Sequence, residues 1–202
     1  MADSAELIKG DTNPESFPAG YTSMMLQLYL ETLIEQDREP QILDAGPVCG
    51  ENIMFFARQA KRLYVCDMFI RLDRNRRKGK AAHGIWDDLD YPEQSFHGIH
   101  LWDLFDHLED RDAGNLVERC HMMLKPKGMM LVMAFEELPG PSPISSFVIR
   151  DGFHITLRPQ IHLDLPWHYR SNRELALLLE TFPKVKSFLY RNRVREFLFQ
   201  RA

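Results

Sequence analysis

Asp44, Gly46, Gly50 and Asp67 are spaced along this chain as a nucleotide-binding turn needs them. Asp44 closes the apolar run Gln41-Ile42-Leu43. Gly46 and Gly50 follow, and Glu51-Asn52 open a helix-like stretch. Glycine permits a tight turn and lets a ligand approach the backbone. A turn running into a helix N-terminus offers N–H donors to a polar or anionic group. Asp67 ends the next apolar run, residues 62–67. A carboxylate there can accept hydrogen bonds from both hydroxyls of a ribose. The dinucleotide fingerprint G-x-G-x-x-G is absent, because the turn reads Gly46-Pro47-Val48-Cys49-Gly50.

The elements that must position these residues are legible as an alternation. Residues 41–46, 62–67, 97–103 and 129–135 are short apolar runs that read as strands, with a weaker fifth at 80–85. Residues 51–60, 69–78 and 110–124 between them read as helices or, at 69–78, a basic helix or loop. Such alternation predicts a parallel sheet covered on both faces. Residues 1–20 read as a polar arm, and 21–36 as a helix with apolar residues at spacings of three and four. Two alternating runs flank Asp151-Gly152, a hairpin signal. Ser171 or Asn172 caps a helix over 171–182 with Glu174 in its first turn, and 184–202 reads as two terminal strands.

Composition bounds the rest. The 202 residues carry 25 Lys+Arg against 29 Asp+Glu, a formal net charge of -4. That length suits one domain, and the acidic balance argues against binding driven by nucleic-acid phosphates. Cys49, Cys66 and Cys120 match no zinc or redox spacing, which implies free thiols in a reducing compartment. No signal peptide is evident and no apolar run reaches the roughly 18 residues of a membrane span. A cytoplasmic protein is expected.

The ordered series of segments resembles the class I S-adenosylmethionine-dependent methyltransferases, of the type 11-like domain. Asp44, Gly46 and Gly50 match the first motif, with Val48 where a middle glycine stands. Residues 63–67 look like the second motif with its ribose-binding acid. Residues 91–99 (YPEQSFHGI) resemble the approach to the fourth strand, with His97 replacing an Asp. Leu124-Lys125-Pro126-Lys127-Gly128 looks like the turn before the fifth strand, with Lys127 replacing a glycine.

The resemblance implies a Rossmann-like, doubly wound, seven-stranded α/β sheet with an antiparallel C-terminal strand pair and a β-hairpin insertion. It implies one methyltransferase domain: an arm and lid helix at 1–38, a cofactor-binding core at 40–135, the insertion at 136–170, and a terminal helix and strand pair at 171–202. S-adenosylmethionine would be the cofactor and S-adenosylhomocysteine the product. Asp44 and the loop Gly46, Pro47, Val48, Cys49 and Gly50 would surround the methionine end and sugar. Asp67 would hold the ribose, Met68 would pack on the adenine, and Trp86, Asp87 and Asp88 would face it. Trp102 and Asp103 would line the pocket after the fourth strand. The family carries no obligatory catalytic signature, so the catalytic group stays unassigned. His100, Asp106, His107, His154, His162, Trp167, His168 and Tyr169 are candidate acceptor-side residues, with His107, Trp167, His168 and Tyr169 foremost.

Other readings compete with these. Asp44 can simply stabilise a helix start, and Cys49 reads as a loop filler rather than a nucleophile. A metal site at His100, Asp103 and His107 is disfavoured, since such residues at a strand end are more often hydrogen-bonded pocket groups. The run 71–80 reads as a solvated basic face. The acceptor expected is a small molecule, with no membrane or nucleic-acid partner and a homodimer left open. Val48, Ile85 and His97 motivate the alternative, a non-catalytic relative acting as a binding or scaffolding module. A nicotinamide oxidoreductase is the third reading, opposed by the missing glycine.

Overall fold

The computed structural model describes residues 20–79, 86, 89–137 and 144–202. The central sheet comprises β2 (Gln41–Asp44), β3 (Arg62–Val65), β4 (Phe96–Trp102), β5 (Leu124–Phe135), β8 (Lys184–Leu189) and β9 (Val194–Gln200). Their order is β3-β2-β4-β5-β9-β8. β3, β2, β4 and β5 are parallel neighbours, whereas β9 runs antiparallel to both β5 and β8. The described residues thus give six of the seven expected strands. The strand expected at 80–85 lies outside the described residues, as do Asp87 and Asp88.

β4 is buried along its whole length, as a central strand covered on both faces must be. One face packs under α3 (Met68–Arg77), α4 (Asp110–Met123) and α5 (Asn172–Leu178), through Phe69, Leu72, Leu116, Cys120 and Leu175. The other packs under α1 (Met24–Gln36) and α2 (Gly50–Ala57), through Met25, Tyr29, Leu33 and Phe56. Ser171 and Glu174 form the reciprocal capping box at α5, satisfying N–H groups that a helix start leaves open.

The helix expected from residue 21 begins later. Tyr21–Thr22 is a short strand, β1, because Ser23 caps α1 by accepting from Leu26 N at 3.0 Å and leaves the chain before it extended. β1 pairs with β7 (His154–Pro159), which pairs with β6 (Ser145–Ile149), making a separate three-stranded sheet. The hairpin turn between β6 and β7 holds Gly152 at φ 62°, the left-handed region where glycine is least strained. β5 starts at Leu124, not 129, and runs through the expected turn with Lys127 at φ 63°.

Buried Glu196 on β9 fastens the small sheet and α1 to the large one. Its carboxylate accepts from the hydroxyls of Tyr21 at 2.9 Å, Ser23 at 2.9 Å and Tyr190 at 2.8 Å. Burial raises its pKa and the three donors work against that rise.

Candidate functional site

The strand order reverses between β2 and β4. In open α/β sheets the crevice beyond the carboxyl ends at such a point is where ligands bind. Asp44 and Trp102 end those two strands, and Asp103 follows. The loop 45–49 joins β2 to α2, whose first turn carries Glu51.

Asp67 stands opposite this loop. Its Oδ1 accepts from Ile70 N at 2.9 Å, capping α3, and its Oδ2 accepts from Val48 N at 2.9 Å. Two N–H donors thereby fix the carboxylate. A carboxylate has about four acceptor positions, so each oxygen keeps one for a hydroxyl. The side chain at position 48 projects outward, 52% exposed, and the backbone N–H alone serves the turn.

Asp44 is buried. Its Oδ1 accepts from Gly46 N at 3.0 Å and from the indole N–H of Trp102 at 2.6 Å. Burial pushes its carboxyl up to about 6, against the pull of those two donors. A Cβ at Gly46 would collide with Cδ1 and Nε1 of Trp102, so the glycine admits the indole. Trp102 itself sits at φ 51°, a costly conformation for a bulky residue. Its ring stacks on Phe147 of β6 at 5.6 Å, and Phe147 stacks on Phe135 at 5.4 Å. A Cβ at Gly50, by contrast, would meet nothing within 4 Å. Cys49 precedes α2 without a side-chain cap and its Sγ lies 3.1 Å from Glu51 Oε2.

Residues that the sequence did not single out hold the cover in place. Asn52 Nδ2 donates to Phe147 O at 2.7 Å, and its Oδ1 accepts from Ile149 N at 2.9 Å. Glu51 pairs with Arg158 and Arg150, and Arg158 is the main reason its carboxyl falls to about 2. The sequence signal was present only as a polar residue at a buried position of a helix, which needs the fold to be recognised.

Met68 is buried in the core under α3, with its sulfur 3.6 Å from Cys66. Trp86 is also buried, and its indole N–H points to Asp112 Oδ1 at 3.4 Å. His100 is enclosed by Tyr29 and Phe56, with ring centroids at 4.5 and 4.3 Å, and burial drops it to about 3. It is a neutral core ring.

Asp103, Asp106 and His107 gather in the turn after β4, all three buried. Segment 160–170 straps over this turn. His107 Nδ1 contacts Pro166 O at 2.9 Å, His168 N donates to Asp106 O at 2.6 Å, and Arg170 donates to Phe105 O and Leu108 O. The strap's other end is tied to α3, where Asp73 accepts from Asp164 N and Arg76 pairs with Asp164. Trp167 and Tyr169 lie 6.0 Å apart on the strap, and Tyr169 covers the Arg195 guanidinium at 5.4 Å. His168 and Tyr169 line a pocket of about 550 Å³ with Asp110, Glu174 and Leu177. His154 and His162 are on β7 and the strap, and neither joins this cluster. Among the described residues no group of His, Cys, Asp or Glu is arranged to hold a metal ion.

A family profile described as a methyltransferase domain matches residues 21–182. The chain belongs to the class I S-adenosylmethionine-dependent methyltransferases. The fold agrees with solved structures at low identity. A Burkholderia thailandensis 1,6-didemethyltoxoflavin-N1-methyltransferase is 18% identical, over 89% of this chain and 79% of that one, at TM-score 0.50. The PH0226 protein of Pyrococcus horikoshii is 17% identical over 89% and 92%, at TM-score 0.53. An S-adenosylmethionine-dependent methyltransferase of Mesorhizobium loti is 15% identical over 80% and 91%, at TM-score 0.54. No curated protein matches the sequence.

The family's cofactor is S-adenosylmethionine, and the donor set fits it. The methyltransferase has a fixed carboxylate at Asp67, open space at Gly50, an uncapped α2 start, and at Asp103 a buried Oδ1 that no described residue serves. The Trp102 indole packs against Gly46 of the β2–α2 loop. No helix among the described residues is long and apolar enough to cross a membrane.

Proposed function

We propose that this protein transfers the methyl group of S-adenosylmethionine to a small-molecule acceptor in the cytoplasm. The cofactor supplies an electrophilic methyl carbon on a sulfonium. The chain's part is to bind it, orient the acceptor and exclude water. Asp67 would hold the ribose hydroxyls. The N–H groups of the loop and α2 start would take the polar methionine end, with Asp44 beside it, and Trp102 and Asp103 would line the pocket after β4. Met68, Trp86, Asp87 and Asp88 are assigned to the adenine side. His107, Trp167, His168 and Tyr169 are assigned to the acceptor side, under the cover made by β6, β7 and the strap.

The observation that carries this reading is Asp67, held by Val48 N and Ile70 N with acceptor capacity to spare. Calorimetric titration with S-adenosylhomocysteine tests it. Serine caps helices as well as aspartate, so Asp67→Ser keeps α3 capped while removing the carboxylate. Micromolar binding lost in Asp67→Ser supports the assignment, and binding that survives unchanged removes it. A second reading, a non-catalytic binding module, draws on the Trp102 indole lying over Gly46. A folded, cofactor-free protein that ignores millimolar S-adenosylhomocysteine selects that reading.

A further inference from the structure

Asp103 and Asp106 are fully buried at the carboxyl end of β4, and each has one oxygen, Oδ1, that no described residue serves. Buried polar atoms without partners are uncommon, and each calls for an explanation. At the strand ends where ligands bind, the explanation is a molecule that brings its own donor.

The two carboxyls differ in their partners. Asp106 Oδ2 accepts from Phe135 N at 2.9 Å, and burial pushes this group up to about 7. Asp103 Oδ2 instead faces His107 Nε2 at 3.4 Å. His107 Nδ1 lies 2.9 Å from the carbonyl of Pro166. A carbonyl only accepts, so Nδ1 carries a hydrogen. A neutral ring would then turn a lone pair at Nε2 toward a carboxylate oxygen, acceptor against acceptor. The contact is attractive when the pair holds one proton more, shared between Nε2 and Oδ2. Burial acts to lower His107, but Asp103 and the Pro166 carbonyl outweigh it and hold the ring above its usual value. Among the described residues, the other titratable groups around the pair are Asp106, with Arg195 facing it, and Tyr21 from β1. Asp103 Oδ2 is therefore engaged, and the carboxylate offers Oδ1.

We propose that Asp103 Oδ1 receives the N–H of an amine acceptor, with His107 as the positioning residue that holds the carboxylate. The proposal rests on the methyltransferase reading above and adds the acceptor class. An amine nitrogen that takes the methyl group forms the N–C bond with its lone pair while the C–S bond breaks toward sulfur. The positive charge passes from sulfur to nitrogen, and the new ammonium later gives its proton to water. A buried carboxylate favours charge arriving at that nitrogen. A hydroxyl acceptor needs a strong base at this position, and a carboxylate already matched to an imidazolium is a weak one.

Sinefungin, which carries an amine in place of the methylsulfonium, probes the position without an acceptor. Calorimetry compares it with S-adenosylhomocysteine on the wild type, Asp103→Asn and His107→Asn. The expected result is about tenfold tighter binding of sinefungin by the wild type, the worth of one charge-assisted hydrogen bond. Asp103→Asn brings the two affinities together, and His107→Asn erodes the preference in part. Nitrogen-15 spectra of the wild type show the His107 ring protonated at both nitrogens at neutral pH, and at Nδ1 alone in Asp103→Asn. Equal affinities in the wild type, or a preference that survives in Asp103→Asn, overturn the amine assignment and leave the cofactor site standing. Failure of both ligands to bind the folded wild type overturns the methyltransferase reading itself. The wild-type comparison and spectra decide the matter even if a variant does not fold.

Discussion

The indole N–H of Trp102 donates to Asp44 Oδ1 at 2.6 Å while the same ring occupies the space beside Gly46. The first glycine of the loop thus serves a contact within the protein before any ligand arrives. Gly46→Ala overpacks that contact and costs about 1–3 kcal/mol. Urea unfolding without cofactor shows the loss. In a Trp102→Ala background the same substitution costs much less, because the colliding atoms are gone.

Asp106 makes stability depend on pH in a definite direction. Its folded pKa is raised from 3.8 to about 7 by burial. Its stabilising contribution is complete below about pH 4 and is lost as pH rises through about 7. Asp106→Asn is neutral throughout and keeps an acceptor for Phe135 N. The variant should match the wild type at pH 4 and exceed it at pH 8, by up to about 4 kcal/mol at 1.36 kcal/mol per unit. Thermal unfolding across that range checks the sign.

Asn52 ties β6 to α2 through both ends of its amide, at 2.7 and 2.9 Å. Asn52→Ala leaves a buried carbonyl and an N–H without partners and costs about 2–4 kcal/mol for the two bonds. Hydrogen exchange at the Ile149 amide should speed up far more than exchange in β4.

Asp67→Ala and Asp67→Ser separate two roles of one carboxylate. Loss of the cap in the alanine variant costs about 1 kcal/mol, whereas serine restores stability. Both variants lose S-adenosylhomocysteine binding. A serine variant that binds like the wild type would confine Asp67 to helix capping.

Much of the fold was legible because it rests on local chemistry. Glycine at 152 turns a hairpin, Ser171 and Glu174 box a helix, and apolar runs at 41–44 and 96–102 are buried strands. β1 was hidden because two residues carry no periodicity, and only its register with Ile155 and His154 makes it a strand. Residues 44, 46, 50 and 67 stood out by type and spacing, and Asp103 only through the family resemblance. Trp102 over Gly46, Asn52 against β6 and the His107–Pro166 contact join positions far apart in the chain, and no spacing rule reaches them.

Glu196 binds Tyr21 across 175 positions of sequence. A ribosome therefore releases β1 and α1 long before their anchor exists. Helix α1 must wait for the last strand to be made, and the apolar face formed by Met25, Tyr29 and Leu33 is exposed throughout that interval. Closing so long a loop is slow, so docking of α1 should be the final event of folding, and the step at which a chaperone has most to protect.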